Sequence, residues 1–85
     1  MKTEEYVSAI KNMQAFSDLV GSIYPDEYKF VCQQHDIPEC EAMDMYGYLR
    51  MIDCGQYWFV NDISDDYFYT MVSMAQEAHK LQVLN

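Results

Sequence analysis

Apolar residues recur at steps of three and four over most of this chain, and that spacing is typical of amphipathic helices. Thr3 is a candidate N-cap, and Glu4 and Glu5 follow it in a first turn, where carboxylates interact favourably with the helix dipole. The pattern predicts a first helix from about Thr3 to Ile23. Its apolar stripe consists of six residues: Tyr6, Ile10, Met13, Phe16, Val20 and Ile23.

Prolines and a glycine separate the next two helices. The second is predicted to begin at Pro25, a favourable first helical position, and to end before Pro38, because proline disfavours a helical conformation at the preceding residue. Its inward face is expected to carry Tyr28, Val31, Cys32 and His35. The third is predicted from Pro38 to Gly55, a residue suited to ending a helix. Its apolar face consists of five residues: Ala42, Met45, Tyr46, Leu49 and Ile52.

The segment that follows the third helix has a different pattern. Tyr57-Trp58-Phe59-Val60 is rich in strand-type residues, but a single strand has no partner with which to pair. We therefore predict an irregular aromatic connector that packs Trp58 or Phe59 against the helices. Trp58 is expected to be buried. A short strand at residues 57–60 is the alternative.

The last helix is predicted from Ser64 to about Leu84, with Ser64 as its N-cap and Asp65 and Asp66 in its first turn. Its inward side is expected to carry Phe68, Met71, Val72, Ala75 and His79. The sequence therefore indicates an all-α fold. We predict a small four-helix domain with one aromatic connector, covering residues 1–85 as a single domain.

The short length limits how much apolar surface this domain can bury. A chain of 85 residues buries only about 60–65% of its unfolded surface, so some apolar side chains are expected to be exposed or covered by another chain. No apolar run reaches membrane-spanning length, and no signal-peptide core follows Lys2. The odd set of Cys32, Cys40 and Cys54 does not suggest a disulfide framework. These features predict a cytoplasmic protein with reduced thiols.

The charge of this chain is more unusual than its pattern of apolar residues. The formal net charge is −9, and residues 30–79 contain nine acids but only one base, Arg50. Half of the residues are nevertheless hydrophobic, so the chain should fold instead of remaining disordered. Eight of the fourteen acids lie near predicted helix starts, where each stabilises a helix by about 0.3–1 kcal/mol. That role accounts for many acids but not for the scarcity of bases.

Two segments resemble metal-binding patterns, but no metal or cofactor is predicted. Cys32, His35 and Cys40 have ligand-like spacing, and Cys54 is a candidate fourth ligand, but the chain lacks the paired Cys-x2-Cys of strong zinc sites. Buried thiols are the favoured interpretation. Asp62-x-Ser64-x-Asp66 resembles the start of a calcium loop. Tyr67 and Ser73 occupy the positions that need glycine and glutamate, so helix capping is favoured there.

Catalytic motifs are absent from the sequence. Neither His35 nor His79 lies beside a serine or cysteine nucleophile motif, and no glycine-rich phosphate loop is present. Neighbouring acids such as Asp65 and Asp66 do not face each other on a helix, so they do not flank a cleft as paired catalytic carboxylates must. The sequence therefore predicts a protein that is not an enzyme.

Several large side chains fall outside the predicted core stripes, including Met43, Tyr48, Met51, Cys54, Tyr67, Tyr69 and Met74. A wide core is one interpretation, and a contact surface is the other, because interfaces are enriched in tyrosine, tryptophan and methionine. We predict five partner-facing carboxylates: Asp44, Asp53, Asp62, Asp65 and Asp66. The predicted aromatic anchors beside them are Tyr48, Tyr57, Trp58 and Tyr67.

A folded, strongly negative surface repels nucleic acid and anionic membranes and attracts basic protein surfaces. We therefore expect a small interaction protein that inhibits or regulates a nucleic-acid-binding partner. Phage- or plasmid-type inhibitors that imitate DNA, such as anti-CRISPR and anti-restriction proteins, have similar compositions. The alternative is a homodimeric assembly protein or chaperone that uses Met- and Tyr-rich helix faces. A small metal-binding domain is a third, less favoured hypothesis.

Overall fold

The computed structural model describes residues 19–56, 58–59 and 62–84, and this part of the chain is all-α. Residues 19–22 are helical, and three longer helices follow: α1 (Pro25–Gln34), α2 (Glu39–Asp53) and α3 (Asp65–Leu84). The described residues thus contain four helical segments, which confirms the predicted fold class. Most of the predicted first helix, residues 3–18, lies outside the described residues.

The connector contains no strand in its described part. Trp58 and Phe59 lie in a turn, and the Asp62 amide donates a hydrogen bond to the Phe59 carbonyl at 2.9 Å. Tyr57 and Val60, the ends of the alternative strand, lie outside the described residues. An irregular connector therefore fits this segment, and the strand alternative has no support.

The helices begin and end for local reasons that are visible in the sequence. Pro25 is the first residue of α1, and the Ser64 hydroxyl accepts a hydrogen bond from the Tyr67 amide at 3.0 Å, which confirms its role as the N-cap of α3. α2 begins at Glu39, one residue after the predicted start. α2 ends before Gly55, which has a φ of 83°.

Both α1 and α2 end in the same hydrogen-bonded motif. After α2, the Gln56 amide donates to the Met51 carbonyl and the Gly55 amide donates to the Ile52 carbonyl, both at 2.9 Å. After α1, the corresponding bonds run from Ile37 to Cys32 (2.9 Å) and from Asp36 to Gln33 (3.1 Å). This is the Schellman arrangement, which places one residue in the left-handed region. Asp36 is that residue after α1, with a φ of 61°.

Opposite stability changes are expected at these two positions. Asp36→Gly should raise the free energy of unfolding by about 0.5–1 kcal/mol, because glycine relieves the left-handed strain and an acid leaves a helix C-terminus. Gly55→Ala should lower it by about 1 kcal/mol. No atom lies within 4 Å of a Cβ added at Gly55, so that loss would be conformational and not steric. Urea denaturation of both variants measures the two changes in the free energy of unfolding. Changes of the same sign would contradict the left-handed conformation of these two residues.

The core consists of the inward faces of the helices, largely as predicted. α1 packs against both α2 and α3, which contact each other less. One predicted position is wrong: His35 is exposed at the surface. Met74, which lies outside the predicted stripe of the last helix, is buried, as the wide-core interpretation predicts. His79 and Tyr46 are only half-buried. The remaining predicted inward residues of α1 to α3 are buried: Tyr28, Val31, Cys32, Ala42, Met45, Leu49, Ile52, Phe68, Met71, Val72 and Ala75.

His35 is exposed because it lies at the C-cap of α1, beyond the last helical turn, where its Nε2 approaches a Glu77 oxygen at 2.7 Å. Met74 is buried although it lies beside the predicted stripe of α3. Met71, Met74, Ala75 and Ala78 are all buried, so the inward face of α3 is wider than a narrow stripe.

Tyr28 links α1 to both other long helices. Its side chain is fully buried, and its hydroxyl donates a hydrogen bond to the Met71 carbonyl of α3 at 2.9 Å. Its ring lies 5.6 Å from the ring of Tyr46 on α2, measured between centroids. The Tyr46 hydroxyl in turn donates to the Ile23 carbonyl at 2.8 Å. Two tyrosines thus join α1, α2, α3 and the segment that precedes α1.

The backbone around residues 22–24 is held mainly by one amide side chain from α3. The Gln82 Nε2 donates to the Ser22 carbonyl at 2.8 Å, and the Gln82 Oε1 accepts from the Tyr24 amide at 2.9 Å. Arg50 adds a longer contact of 3.5 Å from its Nη1 to the Val20 carbonyl. Two of these bonds satisfy the Val20 and Ser22 carbonyls of the 19–22 helical segment, and the third satisfies the Tyr24 amide.

Alkaline pH is expected to destabilise the fold. Burial raises the pKa of the Cys32 thiol to about 11, and burial is also the main cause of the raised pKa values of the Tyr28 and Tyr67 phenols. The folded state therefore binds these protons more tightly than the unfolded chain, whose pKa values are about 9.0 for cysteine and 10.0 for tyrosine. The associated stability is complete below pH 9 and falls as the pH rises above it.

Urea midpoints measured between pH 7 and pH 11 test this dependence. The midpoint should be level near neutral pH and decline above pH 9, and Tyr28→Phe should reduce the slope because it removes one titrating phenol. A midpoint that stays constant to pH 11 would contradict the buried positions of these groups.

Candidate partner-binding surface

Four aromatic rings from α2, the connector and α3 form one contiguous cluster. Tyr48 stacks on Phe59 with ring centroids 4.5 Å apart and an interplanar angle of 19°. Trp58 meets Phe59 edge-on at 5.9 Å, and Tyr67 meets Tyr48 edge-on at 6.1 Å. We call Tyr48, Trp58, Phe59 and Tyr67 the aromatic cluster. It brings together three of the four predicted anchors, and the fourth, Tyr57, lies outside the described residues.

Of the two rings predicted to pack against the helices, Phe59 does so, and the expectation that Trp58 is buried is wrong. Its side chain is 69% exposed, whereas its neighbour Phe59 is 3% exposed and occupies the position beside Tyr48. Consecutive side chains in this turn point to different sides, so only one ring enters the core. Phenylalanine fits there without an N–H group that needs a partner, and tryptophan carries one. Burial of Phe59 therefore presents Trp58 to solvent.

The predicted carboxylates fall into two groups. Asp44, Asp62, Asp65 and Asp66 are exposed, and none forms an ion pair with a described residue. Asp53 is half-buried and already interacts within the chain, with its Oδ1 3.9 Å from where a Cβ at Gly21 would lie. It thus faces the 19–22 helical segment and is not brought to the aromatic cluster.

Tyr67 connects the aromatic cluster to the acids. Burial raises the pKa of its phenol, and a hydrogen bond to the Glu41 carboxylate and the nearby charge of Asp44 raise it further. Its hydroxyl is therefore protonated at neutral pH and donates to Glu41. In the sequence, Glu41 is one of the acids near the predicted start of the third helix, where the helix dipole alone accounts for it. The spacing of Glu41, Asp44 and Tyr48, at i, i+3 and i+7 on α2, is the signal that places them on one side.

A cleft of about 300 Å³ lies beside Tyr67, between the starts of α2 and α3. Its apolar part comes from the buried Met45 and the half-buried Ile37. We call it the acidic cleft, because two acidic residues, Glu41 and Asp66, are among those that line it. Its complete lining is Ile37, Glu41, Met45, Ser64, Asp66, Tyr67 and Thr70.

Two further clefts have different chemistry. A groove of about 290 Å³ between α1 and α3 is bordered by the exposed apolar side chains of Phe30 and Leu84, and we call it the α1–α3 groove. Lys80 and the His35–Glu77 pair also line it, so its charges nearly balance. The third cleft, of about 240 Å³, contains Lys29, whose Nζ lies 2.6 Å from a Glu39 oxygen.

The candidate metal ligands do not converge. Cys32 is buried in the core, whereas Cys40 and Cys54 are exposed, and His35 contacts Glu77. Among the described residues there is no group of three or more His, Cys, Asp or Glu side chains arranged to hold an ion. The geometry gives the metal-binding hypothesis no support.

Comparisons with known proteins add no functional information: no family model, no curated protein and no solved structure matches the chain. Within the described part, no helix combines the length and apolar character needed to cross a membrane.

Proposed function

We propose that this protein binds a basic surface of a partner protein and thereby inhibits or regulates it. The aromatic cluster, which adjoins the acids Glu41 and Asp44 at Tyr67, is the observation that carries this proposal. Tyrosine and tryptophan are the side chains that most often dominate interface energies, and Trp58 is exposed at one end of the cluster, beside Phe59. The carboxylates of Glu41 and Asp44, near Tyr67 at the other end, supply the matching charge for lysine and arginine.

The charge balance supports a cationic partner. Residues 19–84 contain eleven acids and three bases. Lys29 is paired with Glu39, and Arg50 reaches a backbone carbonyl, so little positive charge offsets the exposed acids. Basic surfaces that attract such a molecule are typical of proteins that bind nucleic acid, whose phosphates form a dense line of negative charge. A partner from this class is the favoured candidate, and nucleic acid itself would be repelled.

Binding without catalysis is part of this proposal. The described residues offer one serine–histidine contact, a 3.5 Å separation between the Ser22 Oγ and the His79 Nδ1. The Ser22 hydroxyl donates to the Leu19 carbonyl at 3.0 Å, and neither residue lines any of the three clefts. That arrangement fits a structural hydrogen bond.

Affinity capture from the native host, followed by mass spectrometry, tests the proposal. The wild type and a variant with Asp44, Asp62 and Asp66 replaced by asparagine serve as baits. The wild type should retain a nucleic-acid-binding protein that the variant does not, and the chain should compete with DNA for that partner. Affinity should fall steeply between low and high salt, because exposed charges are screened within about 8–10 Å. An affinity that is insensitive to salt would contradict the proposal.

A homodimer remains the second candidate because of the α1–α3 groove. Phe30 is 51% exposed and Leu84 is 84% exposed at a surface where charges nearly balance, so two negatively charged copies would repel each other least there. Sedimentation over a wide concentration range distinguishes the candidates. Concentration-dependent dimers that Phe30→Glu abolishes would favour this alternative, and a monomer at all concentrations would exclude it.

A further inference from the structure

The acidic cleft combines an apolar base with negatively charged edges. Met45 is 2% exposed and forms the most enclosed part of the lining. The hydroxyls of Ser64 and Thr70 each make one hydrogen bond within the chain: Ser64 accepts from the Tyr67 amide and Thr70 donates to the Asp66 carbonyl. Glu41 and Asp66 are the charged residues of the lining, and hydrogen bonds to ionised acceptors are stronger than those to neutral hydroxyls.

Tyr67 adds two features that limit what this cleft accepts. Its hydroxyl interacts with the Glu41 carboxylate, whose oxygens keep further acceptor positions. Its ring borders the cleft and offers an aromatic face. An occupant that matches all these groups has an apolar stem, a positive charge, several hydrogen-bond donors and a flat end that packs on a ring.

From the chemistry of this lining, and resting on the proposed function, we propose that the acidic cleft binds an arginine side chain of the partner protein. The aliphatic part of that arginine packs on Ile37 and Met45, and its guanidinium donates to Glu41 and Asp66 beside the Tyr67 ring. Arginine suits these groups better than lysine, because its planar fork bonds carboxylates in pairs and stacks on aromatic rings. Charge complementarity thus selects this occupant over an apolar one.

Nuclear magnetic resonance titration with short blocked peptides tests the proposal. The probes are Gly-Arg-Gly, Gly-Lys-Gly and a peptide with citrulline, which has the shape of arginine but no charge. The arginine peptide should shift the amide resonances of Ile37, Tyr67 and Thr70, and the lysine peptide should bind about threefold or more weakly. The citrulline peptide should produce no saturable shift. Shifts that fall elsewhere, or equal binding of arginine and citrulline, would overturn the proposal.

Two neighbouring acids provide a matched control. Asp65 and Asp66 both lie exposed in the first turn of α3, but only Asp66 lines the cleft. Asp66→Asn and Glu41→Gln should each lower the affinity for the arginine peptide about threefold or more. Asp65→Asn should change that affinity less than about twofold. Equal losses of affinity from Asp65→Asn and Asp66→Asn would show that the peptide is held only by non-specific attraction between charges, and would overturn the proposed arginine site.

The two proposals fail in different ways. If a captured partner binds in a salt-dependent manner but Asp66→Asn and Asp65→Asn affect it equally, the surface function stands and the arginine site is wrong. If the arginine peptide occupies the cleft but no basic partner is retained by the wild type, the site stands and the proposed function is wrong.

Discussion

Replacing Tyr28 with alanine is expected to lower the free energy of unfolding by about 3–5 kcal/mol, the range for deletion of a fully buried aromatic side chain. Tyr28 has no exposed surface, and the cavity left behind would open where α1, α2 and α3 meet. A domain of this length has a total stability of about 4–13 kcal/mol. The variant should therefore be partly or largely unfolded at 37 °C, as measured by circular dichroism during urea denaturation.

Two further tyrosine variants separate the causes of that loss. Tyr28→Phe keeps the ring and removes only the hydrogen bond to the Met71 carbonyl, so it should cost about 0.5–1.5 kcal/mol. Tyr24→Ala removes a ring that is 61% exposed and should change stability by less than about 0.5 kcal/mol. If the variants at positions 24 and 28 lost similar amounts, the central position of Tyr28 would be wrong.

Local signals made the helices predictable from the sequence. Pro25, Ser64 and Gly55 each act on the backbone within a few residues, so their effect does not depend on the rest of the fold. The end of α1 was less defined, because the sequence showed only that it precedes Pro38. Helix α1 ends where Asp36 adopts the left-handed conformation. Aspartate has no strong preference for that conformation, so its presence in the sequence did not indicate the end of the helix.

Contacts between distant parts of the chain were not predictable in the same way. The sequence could not show which of two adjacent rings enters the core, and Phe59 does so because it fits against Tyr48 of α2. Likewise, Glu41 meets Tyr67 only because the starts of α2 and α3 lie side by side. Periodicity assigns residues to a side of one helix, whereas such contacts depend on how the helices pack.

The predicted site residues also fall into two groups: those placed by their spacing along one helix and those placed by the packing between helices. Asp44 and Tyr48 lie one turn apart on α2, and that spacing alone predicts that they are neighbours. Asp53 lies nine residues after Asp44, and it faces the 19–22 helical segment instead. Asp66 is predicted as a surface acid, and its position at the acidic cleft follows from the packing of the start of α3 beside α2.

Replacing Trp58 with alanine is expected to weaken binding to the basic partner about 30-fold or more, the effect of losing a tryptophan hot spot. Stability should change by less than about 0.5 kcal/mol, because the side chain is 69% exposed. Capture experiments with wild-type and variant baits, compared at the same bait concentration and salt, measure the loss of bound partner. Denaturation curves of the same preparations show whether the fold is intact.

Met43→Ala is the matched control for this prediction. Met43 is 65% exposed, close to the exposure of Trp58, but it lines the third cleft beside Lys29 and not the aromatic cluster. It should therefore leave the amount of captured partner unchanged. Equal losses from both variants would place the contact surface elsewhere, and no loss from Trp58→Ala would mean that charge alone holds the partner. The fold exposes this tryptophan while burying the adjacent phenylalanine, so core packing does not account for the exposed ring. A role in binding does account for it.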